Sequence, residues 1–276
     1  MKHLIRLTDN NAEYVHRIFH LADELRQGKH QDFLKGKTVV LFFPASSIRT
    51  RVTFEKGVCL LGGHPILFPG DALDKKEDIQ DVCGYLNNWA DLIIVRHRDI
   101  RLLERMAQYA AVPVINAMTD VNHPCEILSD MYALSRIRGD FRRDKYLFVG
   151  KRGNIGLAWK EAAEVMGLSL EQCCSEGYEI EGLYAHHDIM HAVDGKDIVC
   201  TDSVSSSDLP AFRSCQVTAA AMQRANPGAI LNPCPPFYRG EEVSEDAIAS
   251  KYFVGYEFKK YLLEVQQAIM IDCLTQ

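Results

Sequence analysis

The sequence predicts an α/β protein built from two doubly wound parallel-sheet domains. Two observations carry that expectation. Short β-branched runs alternate with helical stretches in two successive series, the pattern of parallel strands joined by crossover helices. Between the series the polar cluster Arg138-Gly139-Asp140-Phe141-Arg142-Arg143-Asp144 interrupts the chain. The expected domains are therefore 1–138 and 139–258, with a final helix at about 259–276 packing back on the first. A chain of 276 residues is long enough for both.

The first series opens with an amphipathic helix over Ala12–Arg26. Strands are expected at Thr38–Phe43, Pro65–Phe68, Leu92–Arg96 and Pro113–Asn116, where β-branched and aromatic residues cluster. Helices are expected between them, near Thr50–Leu61, Glu77–Trp89 and Arg101–Ala110. Pro124 suits the first turn of a further helix reaching Ile137. The second series begins with a strand at Tyr146–Val149 and continues through Asp197–Thr201, Ala229–Leu231 and Tyr252–Gly255. Leu262, Val265 and Ile269 give the last stretch, Lys259–Cys273, helical spacing.

Composition narrows the functional class. The chain is 47% hydrophobic and 25% charged, as in soluble globular proteins. A net charge of −6 and a pI near 5.9 offer no basic field to nucleic acid. The longest apolar runs, such as Leu92-Ile93-Ile94-Val95, are too short to span a bilayer, and Met1–Arg6 lacks the apolar core of a signal peptide. Nine cysteines, an odd number without CxxC spacing, suit free thiols in a reducing cytoplasm. No cofactor or metal is expected.

The most informative segment runs from Phe42 to Glu55. A strand ends, then hydroxyls and a guanidinium stand where a helix begins. Free backbone N–H groups and the helix dipole make such a turn an anion site. Arg49 adds charge-assisted hydrogen bonds, and Ser47 and Thr50 add hydroxyl donors. The plainer alternative has Ser47 capping the helix while Arg49 and Arg51 stay solvated.

Ser47-Ile48-Arg49-Thr50-Arg51-Val52-Thr53-Phe54-Glu55 resembles the S-T-R-T-R-x-S-F-E signature of the aspartate and ornithine carbamoyltransferases. The resemblance implies a loop gripping the phosphate of carbamoyl phosphate, with Ile48 departing from the usual threonine. Arg96 resembles the family arginine that meets both phosphate and carbamoyl oxygen. His123-Pro124-Cys125-Glu126 resembles the H-P-x-Q segment, which gives His123 the role of polarising the carbamoyl group and puts Glu126 in place of glutamine. Lys75–Asp81 resembles the K-G-E-[ST]-x-x-D loop that reaches a neighbouring subunit's active site in the aspartate branch. Taken singly, a histidine before proline is an ordinary cap and Lys75–Asp81 an ordinary charge run. Four matches in order speak against those readings.

The second half resembles the ornithine branch less closely. Gly150-Lys151-Arg152-Gly153-Asn154 matches the asparagine of G-D-x-x-N-N at Asn154, but Lys151 replaces the aspartate. Thr201–Asp208 resembles T-D-x-W-x-S-M-G at Asp202 and Ser206, while Val204, Ser207 and Asp208 depart. Asn232-Pro233-Cys234-Pro235-Pro236 stands in place of H-[CP]-L-P-R, where backbone carbonyls at Pro233 and Cys234 remain able to accept from a carbamoyl NH2. Lys259, Lys260 or Arg239 are the candidates for a missing family arginine. Asp208 is expected to set a negative charge near the carboxylate of an amino-acid acceptor, which would disfavour ornithine.

The resemblance thus implies carbamoyl transfer from carbamoyl phosphate to the amine of a small amino acid, in a cleft between the two domains of a homotrimer. Catalysis would fall to Arg49, Thr50, Arg96 and His123. Substrate binding would fall to Ser47, Ile48, Lys75, Glu126, Asn154, Asp202, Ser206, Pro233 and Cys234. An alternative is an impaired paralogue that binds a phosphorylated metabolite in a regulatory role. A dinucleotide site at Gly150–Gly156 lacks the acidic residue one strand later. His186, His187 and His191 could place two imidazoles on one helical face at metal-ligand spacing, although a polar helix surface is the better explanation. Cys173 and Cys174 are expected to pack as small apolar side chains.

Overall fold

A computed structural model describes residues 2–275 of the chain. The strands are β1 (Thr38–Phe43), β2 (His64–Pro69), β3 (Leu92–Arg96), β4 (Val114–Met118), β5 (Lys145–Val149), β6 (Ser169–Cys173), β7 (Ala185–His186), β8 (Ile198–Thr201) and β9 (Ile230–Pro233). The α-helices are α1 (Ala12–Arg26), α2 (Arg49–Leu60), α3 (Ile79–Leu86), α4 (Ile100–Tyr109), α5 (Pro124–Ile137), α6 (Asn154–Met166), α7 (Ile189–Ala192), α8 (Ala219–Met222), α9 (Glu245–Ile248) and α10 (Leu262–Thr275). Met1–Ala133 with Lys260–Gln276 form one compact unit, and Leu134–Lys259 form a second.

The first unit carries a parallel sheet in the order β2-β1-β3-β4. Alternate side chains of a strand point to opposite faces, so one sheet must be covered twice. Val40, Phe42, Ile93 and Val95 pack with Ile79 and Cys83 of α3 and Leu103 and Met106 of α4. On the other face Phe43 meets Phe54 of α2, with ring centroids 6.0 Å apart. The final helix lies against α1 and α2. Gln267 Nε2 donates to the Gly57 carbonyl at 3.1 Å, and the Asp272 carboxylate, 1% exposed, accepts from Arg17. That helix is apolar nearly all round because it is buried nearly all round.

The second unit carries a parallel sheet in the order β7-β6-β5-β8-β9. Tyr146 and Phe148 face α6, where Trp159 lies 5.6 Å from the Tyr146 ring. A Cβ at Gly156 would stand 2.5 Å from the Phe148 ring, so only glycine lets α6 approach this closely. Leu147 and Val149 face the opposite way, into a core with Met222 of α8 and Ala247 of α9.

Two local expectations fail, and one short strand goes unpredicted. Tyr252–Gly255 does not extend the sheet: Phe253 makes a single bridge to Leu231, and Gly255 at φ +74° turns the chain away. β7 escapes sequence reading because two residues carry no periodicity. The three histidines do not share a helix. His186 lies in β7, and Asp188 caps α7 through the Met190 N–H, leaving His187 outside and only His191 within.

Candidate active site

In a doubly wound sheet the crevice lies where the strand order reverses, beyond the carboxyl ends of the strands. In the first unit that point falls between β1 and β3. β1 releases the turn Pro44–Ile48, closed by Ser47 N–H on the Pro44 carbonyl at 2.9 Å. β3 delivers Arg96, whose Nη1 donates to Ser47 Oγ at 3.1 Å. Gly70 permits this packing: a Cβ there would meet Pro44 N at 3.2 Å and the Arg96 carbonyl at 3.4 Å. The helix cap is Ile48, whose side chain makes no capping bond, so Ser47 does not cap α2. The first-turn N–H groups therefore remain available to an anion. Ser47 and Thr50 are buried at 2% and 4% exposure, whereas Ile48 and Arg49 face solvent. Arg49 forms no ion pair among the described residues, while Arg51 pairs with Glu55 at 3.4 Å.

His123 is held by a turn that the sequence reading passed over. Asn116 Nδ2 donates to Asn122 Oδ1 at 2.7 Å and to the Ile5 carbonyl at 2.9 Å. Thr119 Oγ1 donates to Asn122 Oδ1 at 3.0 Å and accepts from the Asn122 N–H at 3.1 Å. All three side chains are fully buried. Together they fix the turn that presents His123 at the start of α5. Glu126, 7% exposed, lies in the first turn of that helix, where the dipole favours negative charge. Lys75 is exposed between β2 and α3.

In the second unit the order reverses between β5 and β8. Gly150, at φ +152°, turns the chain from β5 toward α6, and Asn154 is the first residue of that helix. Asp202 follows β8. A Cβ at Gly153 would lie 3.8 Å from Asp202 Oδ2, so the two turns adjoin. Burial raises the Asp202 carboxyl to about 6, against a backbone N–H from Ser203 and the charge of Lys151, which lower it. A cavity of about 570 Å³ lies in the same unit, lined by Val149, Gly150, Val204 and Ser206, by residues between Leu209 and Gln216 and by 240–242, and neither Asp202 nor Asn154 is among its lining residues. Pro233 and Cys234 are buried at the end of β9, with the Cys234 N–H bonded to the Thr201 carbonyl at 3.0 Å.

The two charged departures from the family pattern meet one another. Lys151 Nζ lies 2.8 Å from Asp208 Oδ2, which also accepts from Ser205 Oγ at 2.7 Å, while Oδ1 accepts from Tyr178 OH at 3.0 Å. These bonds, led by Lys151, hold Asp208 at about 2. The charge expected to oppose an acceptor carboxylate is thus engaged, and Lys151 is not a spare cation. Of the proposed replacements for the missing arginine, Arg239 donates to Tyr256 OH at 3.4 Å and stacks over Phe237. Arg213 and Glu242, both lining the cavity, escaped the sequence reading. Their local sequences look like ordinary solvated charge.

Among the described residues, Cys174, Glu179 and His187 bring donor atoms within 4.8 Å of one another. His187 Nδ1 bonds the Cys174 carbonyl at 2.9 Å, and Nε2 stands 4.0 Å from Glu179. Among the described residues no helix is long and apolar enough to cross a membrane.

Two open parallel sheets, each with polar groups gathered at its switch point, are the build of a two-substrate α/β enzyme. The chain belongs to the aspartate/ornithine carbamoyltransferase family. The family's carbamoyl-P binding domain matches residues 2–136 and its Asp/Orn binding domain residues 143–273. Ornithine carbamoyltransferase of Chromobacterium violaceum is 31% identical, over 98% of this chain and 96% of its own. That of Methylococcus capsulatus is 33% identical over 99% of each. The ornithine carbamoyltransferase structure from Pyrococcus furiosus matches with a TM-score of 0.92 and 29% identity, covering 98% of this chain and 96% of its own. The protein is a carbamoyltransferase, moving a carbamoyl group from carbamoyl phosphate to an amine. The impaired-paralogue alternative draws no support from these findings, nor does a dinucleotide site.

Proposed function

We propose that the first unit binds carbamoyl phosphate through Ser47, Ile48, Arg49, Thr50, Arg96, His123 and Glu126. The second holds the amine of a small amino acid through Asn154, Asp202 and Ser206, and offers the Pro233 and Cys234 carbonyls to the carbamoyl NH2. The observation that carries this reading is the Arg96–Ser47 bond at 3.1 Å beside the uncapped start of α2. Guanidinium, hydroxyl and N–H donors there match a phosphate with a carbamoyl oxygen next to it.

An uncharged amine attacks the carbamoyl carbon. The carbonyl oxygen gains negative charge, which Arg49, Thr50, Arg96 and His123 stabilise; the C–O bond to phosphate then breaks, and the departing phosphate takes up the proton that the amine loses. Most of the acceleration comes from holding the reactants together. The protein works as a cytoplasmic homotrimer, and Lys75 serves the site of a neighbouring copy.

A colorimetric screen for ureido products, with carbamoyl phosphate and a panel of amines, tests the function. At least one amino acid is expected to turn over. No product from any amine would overturn it. Calorimetry of Arg49→Ala tests the donor site: carbamoyl phosphate affinity is expected to fall by about 2–4 kcal/mol. A change within threefold would remove the phosphate loop from the reading.

A further inference from the structure

Outside the residues assigned above, three donor groups of different kinds meet at one edge of the second sheet. Cys174 follows β6, Glu179 ends the turn 175–179, and His187 follows β7. Their donor atoms lie within 4.8 Å of one another. Cys174 is fully buried, while Glu179 and His187 face solvent, so the group has a thiol floor and a polar lip.

The backbone aims these side chains at a common point. The Cys174 N–H bonds the His186 carbonyl at 2.9 Å, which sets the end of β6 beside His187. Gly177, at φ +85°, makes the turn that brings Glu179 back toward Cys174, and its N–H bonds Glu179 Oε1 at 3.0 Å. Ser214 Oγ donates to the His187 carbonyl at 2.9 Å and fixes the chain there.

His187 is the informative member. Its Nδ1 lies 2.9 Å from the Cys174 carbonyl. A carbonyl only accepts, so Nδ1 carries a proton, and in the neutral ring Nε2 presents a lone pair. That nitrogen stands 4.0 Å from the Glu179 carboxylate, beyond hydrogen-bond reach. A carbonyl that holds one ring nitrogen while the other is left to a ligand is how metal-binding histidines are oriented. An ion pair of imidazolium with Glu179 accounts for the two exposed groups but gives the thiol at the same point no role.

Thiolate, imidazole and carboxylate together suit zinc, whereas magnesium and calcium take oxygen donors. Zinc ligands lie about 2.0–2.3 Å from the ion, which puts tetrahedral donors about 3.3–3.6 Å apart. Glu179, exposed and carried on a turn, makes the required shift of roughly 1 Å by rotation about its side-chain bonds.

We propose that Cys174, Glu179 and His187 form a zinc site whose fourth position is taken by water. Binding releases the Cys174 thiol proton to solvent and fastens the turn 175–179 to the end of β7. Tyr178 in that turn donates to Asp208 Oδ1 at 3.0 Å, so the fastening extends to the Lys151–Asp208 pair.

The test titrates the full-length protein, stripped with a chelator and kept reduced, with zinc chloride by calorimetry and with Co2+ by absorbance. One ion per chain is expected, with a thiolate-to-cobalt charge-transfer band. His187→Gln and Glu179→Ala should each weaken zinc binding by about tenfold or more, and Cys174→Ser should also remove the band. Because His187 and Glu179 face solvent, their variants test the site even if Cys174→Ser fails to fold. Cys59→Ser, at the one exposed cysteine among the described residues, and His191→Gln on α7 should leave both readouts unchanged. Zinc should raise the melting temperature of the wild type but not of His187→Gln. No binding by the wild type would overturn the assignment. So would affinity unaltered within twofold in both His187→Gln and Glu179→Ala, or a cobalt band that disappears in Cys59→Ser.

Discussion

Asp202 sits where burial and charge oppose each other. Its carboxyl is raised to about 6 in the folded chain, first by burial, although Lys151 pulls it down. A raised folded pKa means folding favours the protonated acid. Its stabilisation is therefore complete below the unfolded value near 4 and is lost as pH rises through about 6. Asp202→Asn removes that dependence. Between pH 4 and pH 8 the stability difference should move in the variant's favour by up to ~3 kcal/mol. Melting curves at the two pH values check it, and a flat difference would mean that burial does not govern this carboxyl. The sequence offered Asp202 only as a motif match; its raised pKa follows from burial in the folded chain, which no local pattern discloses. Arg213 and Glu242 show the same limit. A guanidinium and a carboxyl 29 positions apart come to line one cavity only in the folded chain, where the Gln216 amide joins their strips.

At the scale of elements, strong periodicity was legible and weak periodicity was not. Thr38–Phe43, Leu92–Arg96 and Ala12–Arg26 form as expected, because β-branched runs and a helical apolar face need no distant information. The two-residue β7 and the bridge at Phe253 depend on which strand lies alongside, so sequence reading assigns both wrongly. The turn before α5 is a further case. Asn116, Thr119 and Asn122 read as loop residues, yet they form a closed buried network. Asn122→Ala leaves Asn116 Nδ2 and Thr119 Oγ1 each short of one partner, at a cost of about 1–3 kcal/mol. The expected result is a lowered melting temperature together with weaker carbamoyl phosphate binding, since the same turn presents His123. A variant that melts lower but binds normally would mean the turn does not position His123. A second compensation joins two elements, because Lys151 after β5 and Asp208 after β8 form one ion pair. Lys151→Ala should raise KM for the acceptor, and the exchange Lys151→Asp with Asp208→Lys should recover part of the loss. No recovery in steady-state kinetics would deny the pair a positioning role.

For the whole molecule, assembly is the sharpest expectation. Lys75 is exposed and makes no ion pair among the described residues, as a residue serving a neighbouring copy would be before assembly. If each site borrows Lys75 across an interface, Lys75→Ala subunits mixed with Arg49→Ala subunits regenerate some intact sites. Mixed samples should then recover part of the wild-type rate, with light scattering giving the mass of a trimer. A trimer without complementation would assign Lys75 to its own subunit, and a monomer would remove sharing altogether.

The sequence by itself determined the α/β class and the family, because each is written in contiguous runs whose pattern is set by neighbouring residues. Only the tertiary structure decided that Ser47 bonds Arg96 rather than capping α2. It alone paired Lys151 with Asp208 and brought Arg213 and Glu242 to one cavity. Those facts depend on side chains from separate strands reaching the same switch point, and strand order is a property of the folded sheet, not of any local segment.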